Sequence, residues 1–166
     1  LAKRLIHLRT KRLIIATGSH EYSAVFQNND LPGVMLSSGA QRLLHLYGVK
    51  PGTRAVVISH DDSGLRLATE LLNAGVRVAA VVDSRFRLPT EGAPAKQLLD
   101  NGVELLSSYG VQEALGKNRV DGALVVPLDA QRRPFPKASR FIPCDLICLS
   151  TDRTPAGALV AQSGGE

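Results

Sequence analysis

The sequence predicts an α/β protein: a Rossmann-like, three-layer nucleotide-binding domain with a parallel sheet plus a β-hairpin or meander layer. Three neighbouring stretches carry that expectation. Residues 54–59 (Arg-Ala-Val-Val-Ile-Ser) form a short, β-branched apolar run of the kind that lies in a sheet covered on both faces. Residues 63–73 then change period, with Leu65, Leu67, Ala68, Leu71 and Leu72 on one helical face and Arg66 and Glu70 on the other. Gly75 stops the helix, and residues 76–82 make a second apolar run that ends on Asp83. Strand, turn, helix and strand in this order make a βαβ unit.

The turn and the terminal acid define a candidate site. In a dinucleotide fold, glycines let the first turn approach a pyrophosphate, and a carboxylate about 20 residues on accepts bonds from the ribose hydroxyls. Asp83 stands at that separation from Gly64. The turn reads Ser59-His60-Asp61-Asp62-Ser63-Gly64, so only the third glycine of G-x-G-x-x-G is present, and Ser59 and Asp61 hold the first two positions. A side chain at Asp61 crowds a pyrophosphate and its charge repels one. The free amides at Ser63 and Gly64 attract an anion all the same. A parallel βαβ unit without a ligand is the alternative.

With 166 residues and 44% hydrophobic composition, the chain is large enough for one domain with its own core. Cys144 and Cys148 lie four apart on an apolar run, too few for a zinc site and not an obvious disulfide; buried thiols in a reducing cytoplasm are expected. No stretch reaches the roughly 18 apolar residues of a membrane span, and no secretory pattern opens the chain, so neither membrane nor export is expected. The net charge of +5 gathers at Lys3, Arg4, Arg9, Lys11 and Arg12 and again at Arg132, Arg133, Lys137 and Arg140. No aromatics interleave these clusters and the chain has no Trp, which argues against nucleic acid and for a basic rim facing a nucleotide or an acidic partner subunit.

From the start of the chain, residues 4–18 read as a β-hairpin turning at Thr10-Lys11 and feeding a buried strand that ends in Ala16-Thr17-Gly18. Residues 38–47 read as a helix, and Gly48 to Gly52 lead into the first strand of the βαβ unit. Further on, a helix is expected over 93–101 and strands over 103–107, 112–115 and 122–128, with turns at Asn101-Gly102, Gly116 to Asn118 and Asp121-Gly122. Residues 129–139, with Pro134 and Pro136, read as a loop, and 146–149 as an apolar strand.

The linear order of these features resembles a family. Ala16-Thr17-Gly18-Ser19-His20-Glu21, then Val25-Phe26 with Asn29-Asp30-Leu31-Pro32-Gly33-Val34-Met35, then the run from Tyr47 through the βαβ unit to Arg85, is similar to the α subunit of heterotetrameric sarcosine oxidase and to its relatives among opine oxidases, cyanide synthases and dye-linked proline dehydrogenases. Cys144-Asp145-Leu146-Ile147-Cys148-Leu149, followed by Pro155, Leu159 and Gln162 to Gly165, resembles the segment that returns to the flavin domain. The order departs from the family where Tyr22-Ser23 follow Glu21, and where Ser150 and Thr151 stand in place of two glycines.

The resemblance implies the NAD-binding part of a flavin-dependent amine oxidoreductase, acting on a secondary amine or an N-methyl amino acid within a multisubunit complex. It implies an NAD domain over residues 51–145, inserted between parts of an FAD domain at 1–50 and 146–166. It carries NAD contacts onto Asp61, Asp62, Ser63 and Gly64 in the turn and Asp83, Ser84 and Arg85 at the ribose, and it lays Thr17 and Gly18 against FAD. Asp83 favours NAD over NADP, whereas Arg85 and Arg87 turned inward would favour NADP. No G-x-G-x-x-G occurs, so the chain is expected to be part of a longer subunit and to take up FAD only in that complete subunit. No catalytic residue is assigned, because hydride chemistry resides in the cofactor; His20-Glu21 is the one pair with a catalytic alternative to tying down its loop. Other subunits are the expected partners, with self-association of the isolated chain through uncovered strands at 13–15 and 146–149. The competing function is a ligand-free Rossmann-like module that serves assembly.

Overall fold

A computed structural model describes residues 3–164. In chain order it contains β1 (Ser19–Glu21), β2 (Val34–Leu36), α1 (Ser37–Tyr47), β3 (Arg54–Ser59), α2 (Asp62–Asn73), β4 (Arg77–Asp83), α3 (Ala93–Asp100) and β5 (Glu104–Ser107). Then follow β6 (Tyr109–Leu115), β7 (Gly122–Pro127), a short 3-10 turn at Pro136–Ala138, β8 (Arg140–Pro143), β9 (Leu146–Ser150), β10 (Arg153–Pro155) and α4 (Ala158–Gln162). The chain divides into two compact units, residues 21–152 and residues 1–20 with 153–166.

The larger unit has the three expected layers. Its middle is a five-stranded parallel sheet in the order β2-β9-β3-β4-β5. Alternate residues of these strands face opposite ways. Val57, Val81, Leu146 and Cys148 join Leu67, Leu71 and Leu98 of α2 and α3 in one core. Val56, Val82, Ile147 and Leu149 join Ala123, Val125 and Ile142 of an antiparallel meander, β6-β7-β8, in a second core. Burial on both faces is why β3, β4 and β9 are continuous apolar runs rather than alternating ones. Among the described residues no helix is long and apolar enough to cross a membrane.

Local chemistry sets the helix ends. Asp61 is extended and its carboxylate accepts the Ser63 amide at 2.9 Å, so α2 starts at Asp62. Gly75, at φ +76°, carries the chain out of that helix into β4. At α1 the cap comes from a distance: Glu21 accepts the Ser37 hydroxyl at 2.5 Å and the Ser38 amide at 3.0 Å. Glu21 therefore ties its loop to a helix start.

Four expectations are corrected. Residues 3–18 contain no strand, so the hairpin over 4–18 does not form, and Leu13 and Ile14 are exposed; a two-stranded hairpin is marginal unless something covers a face. The strand expected at 112–115 begins at Tyr109, because Gly110 sits inside the ladder rather than in a turn. The expected loop is followed by an unforeseen strand, β8, which pairs with β7. Finally, β9 is no uncovered strand: it lies between β2 and β3, and all five of its residues are buried. The compact units part at 20/21 and 152/153.

Strand β1 pairs with β10, and in the smaller unit the Thr17 hydroxyl donates to the Ala156 carbonyl at 2.7 Å and the Ala156 amide donates to the Gly18 carbonyl at 2.9 Å.

Candidate functional site

Parallel register lines up the last residues of the strands. Ser150 of β9 pairs with Ser59 of β3, Ser59 with Asp83 of β4, and Asp83 with Ser107 of β5. Three of these four, Ser59, Asp83 and Ser150, are buried polar residues in an otherwise apolar sheet. From β3 the sheet runs one way through β4 and β5 and the other way through β9, so the chain reverses direction between β3 and β9. Ligands of open α/β sheets bind in the crevice outside the carboxyl ends at such a reversal.

The turn after β3 folds onto this row. The Ser59 hydroxyl donates to the Asp61 carbonyl at 2.8 Å. The Ser63 hydroxyl bonds to the Asp61 carboxylate and meets the Ser150 hydroxyl at 2.6 Å. Gly64 packs on Ser59 with no room for a side chain, the close helix-to-strand contact that the third glycine of a dinucleotide turn provides.

Asp83 is fully buried and its carboxylate is occupied. The Arg85 amide and Nε donate to Oδ1 at 2.8 and 3.0 Å, and Nη2 donates to Oδ2 at 2.9 Å. Arg85 Nη1 reaches across to Asp62 at 2.7 Å. The hydrogen bond to Asp83 is the largest reason the guanidinium is held above its usual pKa, with Asp62 adding to it against the cost of burial. Arg85 pairs with Asp83 and Asp62, and Asp61 caps α2, so three carboxylates and one paired guanidinium leave this stretch with surplus negative charge.

Beside the turn lies an open cleft of about 370 Å³, with Ser59, His60, Ser84, Tyr109 and Arg132 on its wall. His60 Nε2 lies 2.8 Å from Asp152 Oδ1. Of the residues marked from sequence, Asp61, Asp62, Ser63, Gly64, Asp83, Ser84 and Arg85 converge in the larger unit; Thr17 and Gly18 belong to the smaller one. Sequence reasoning missed the His60–Asp152 pair and the place of Tyr109 on the cleft wall, for which spacing gives no signal. Ser150 did carry one, as a departure from the glycine of its motif.

The frame fits a dinucleotide: a reversal of strand order, a glycine under the turn and an acid ending the next strand. Two side chains fill it, Asp61 on the Ser63 amide and Arg85 on Asp83. Thr17 and Gly18 stand just before β1, in the smaller unit. Among the described residues, no group of three or more His, Cys, Asp or Glu is placed to hold a metal ion.

No protein-family model matches the chain. Its sequence is 34% identical over 166 residues to the sarcosine oxidase α subunit of Corynebacterium sp. strain U-96, covering 99% of this chain and 17% of that protein. The chain is a relative of the sarcosine oxidase α subunits. It spans about a sixth of their length, 17% in the U-96 comparison. Hydrogen cyanide synthase subunit HcnB of Pseudomonas aeruginosa PAO1 is 30% identical over 182 residues, covering 99% of this chain and 39% of that protein. The fold is similar to part of an FAD-dependent pyridine nucleotide-disulphide oxidoreductase from Desulfovibrio vulgaris, with TM-score 0.66, 21% identity, and coverage of 95% of this chain and 39% of that one. The matched stretch takes in the turn, Asp83 and β9 of this chain.

Proposed function

We propose that this chain is the NAD-binding part of a flavin-dependent amine oxidoreductase α subunit, in a cytoplasmic, multisubunit enzyme that oxidises a secondary amine such as sarcosine. One observation supports it best: the α2 turn and Asp83 meet at the strand-order reversal between β3 and β9, in a relative of the sarcosine oxidase α subunits. In this reading Gly64, and Ser63 once its amide leaves the Asp61 carboxylate, present amides to the pyrophosphate, Asp83 receives the ribose hydroxyls, and Ser84 and Arg85 line the ribose pocket. Bound NAD supplies a hydride acceptor. Three carboxylates against one guanidinium disfavour a 2′-phosphate, so NAD is preferred to NADP.

The central position of β9 extends the proposed nucleotide domain beyond 51–145 to take in β2, α1 and β9. FAD is assigned to the complete subunit, beside Thr17 and Gly18, and the chain alone is expected to purify colourless. Calorimetric titration with NAD and NADP tests the reading, and absence of binding by NAD, or tighter binding of NADP, sinks it. A second reading, a ligand-free assembly module, is favoured by the same two side chains that fill the site, and the same titration separates the two.

A further inference from the structure

Asp83 combines complete burial with a carboxylate that accepts from the amide and the guanidinium of Arg85, two residues on. A carboxylate offers about four lone-pair sites, and here a backbone amide and a guanidinium fork take the accessible ones. A ribose cannot reach Asp83 while that fork is in place. The same guanidinium already touches a second carboxylate, since Nη1 lies 2.7 Å from Asp62 in the first turn of α2. Asp62 is exposed, whereas Asp83 is not. Arg85 can therefore leave the buried acid without losing its countercharge.

We propose that Arg85 is a latch on the nucleotide site: closed when forked onto Asp83, open when Asp62 alone holds it, with Asp83 available to a ribose only in the open state. This rests on the NAD reading and adds to it a built-in competitor for the ribose. Burial favours the closed state, because an unpaired carboxylate in the sheet is costly. When only a fraction of molecules is open, apparent affinity falls by that fraction. Removing the fork removes the reduction, and the Arg85 backbone amide, which any residue supplies, still bonds to Asp83.

The test is calorimetric titration of the chain and of Arg85→Gln with NAD, alongside thermal melts of both without ligand. The variant is expected to bind NAD roughly tenfold more tightly, the scale of one charged hydrogen bond. Equal or weaker binding by the variant, with the parent chain binding, overturns the latch and leaves the NAD reading standing. Binding by neither overturns both. If Arg85→Gln does not fold, Arg85→Lys keeps a charge for Asp83 without the fork, and the same gain or its absence decides.

Discussion

Gly64 lies so close to Ser59 that a Cβ on it would stand 2.2 Å from the Ser59 hydroxyl oxygen and 2.3 Å from the Ser59 Cβ. The contact presses the first turn of α2 onto the end of β3, and neither partner can retreat, because Ser59 is buried between Ser150 and Asp83. Gly64→Ala should cost about 1–3 kcal/mol in urea unfolding, as overpacking does. Ser59→Gly in the same chain removes both close atoms and leaves only the Cα, at an ordinary 3.6 Å. The double variant should recover most of the loss; strictly additive costs would show that the clash lies elsewhere.

Asp145 anchors the other end of β3. Its carboxylate accepts the Thr53 amide at 2.9 Å, the Thr53 hydroxyl at 2.5 Å and the Arg54 amide at 2.7 Å. Burial alone would raise its pKa, yet the Thr53 hydroxyl and the Thr53 and Arg54 amides outweigh it and hold the carboxyl below its usual value. A depressed pKa in the folded state stabilises the fold fully above the unfolded value of about 3.9, and that stabilisation is lost as pH falls through the folded value. Asp145→Asn should cost about 1–2 kcal/mol near neutral pH, an amount reduced for partial exposure, and the gap should close on acidification below about pH 4. A gap independent of pH would refute the charge-based account.

The two thiols lie in the interior. Burial, the largest cause in each case, pushes Cys144 and Cys148 up to about 12. Both are free and buried. A thiol-specific chromogenic reagent at about pH 8 should therefore react with neither in the native chain and with both in denaturant, since the thiolate is the reactive form. Prompt native reaction would mean that β9 opens easily.

Glu21 caps α1 through the Ser37 hydroxyl and the Ser38 amide. Glu21→Ala should lower stability by about 1 kcal/mol, typical of a lost cap, with little change in any nucleotide binding. A loss of nucleotide binding with unchanged stability would restore the catalytic alternative for the His20-Glu21 pair.

Leu5, Ile6, Leu8, Leu13 and Ile14 are all exposed. Exposed apolar runs of this kind drive association. Light scattering should show concentration-dependent self-association, reduced in Leu13→Asp with Ile14→Asp. A monodisperse monomer would mean that these residues need no cover.

Much of the fold was legible because its signals are local. The β-branched runs at 54–59 and 76–82 and the change of period between them are short-range patterns, and the structure forms β3, α2 and β4 there. The meander was legible only in part. Residues 109–111 and Arg140-Phe141-Ile142-Pro143 carried no strand signal of their own, because their strand character comes from β7, which pairs with both.

For the site, the sequence by itself determined which residues gather: a polar turn, a glycine beneath it and an acid ending the next strand, all within one βαβ unit. What those residues do to one another was decided by tertiary structure. The central place of β9 puts Ser150 against Ser63, a contact between segments far apart in the chain. Arg85 stands two residues from Asp83 in any conformation, but its fork forms because the sheet removes Asp83 from water, and a buried carboxylate requires a countercharge within reach. Periodicity specifies that an acid ends the strand; only the packing around it determines whether its partner is a ribose or an arginine.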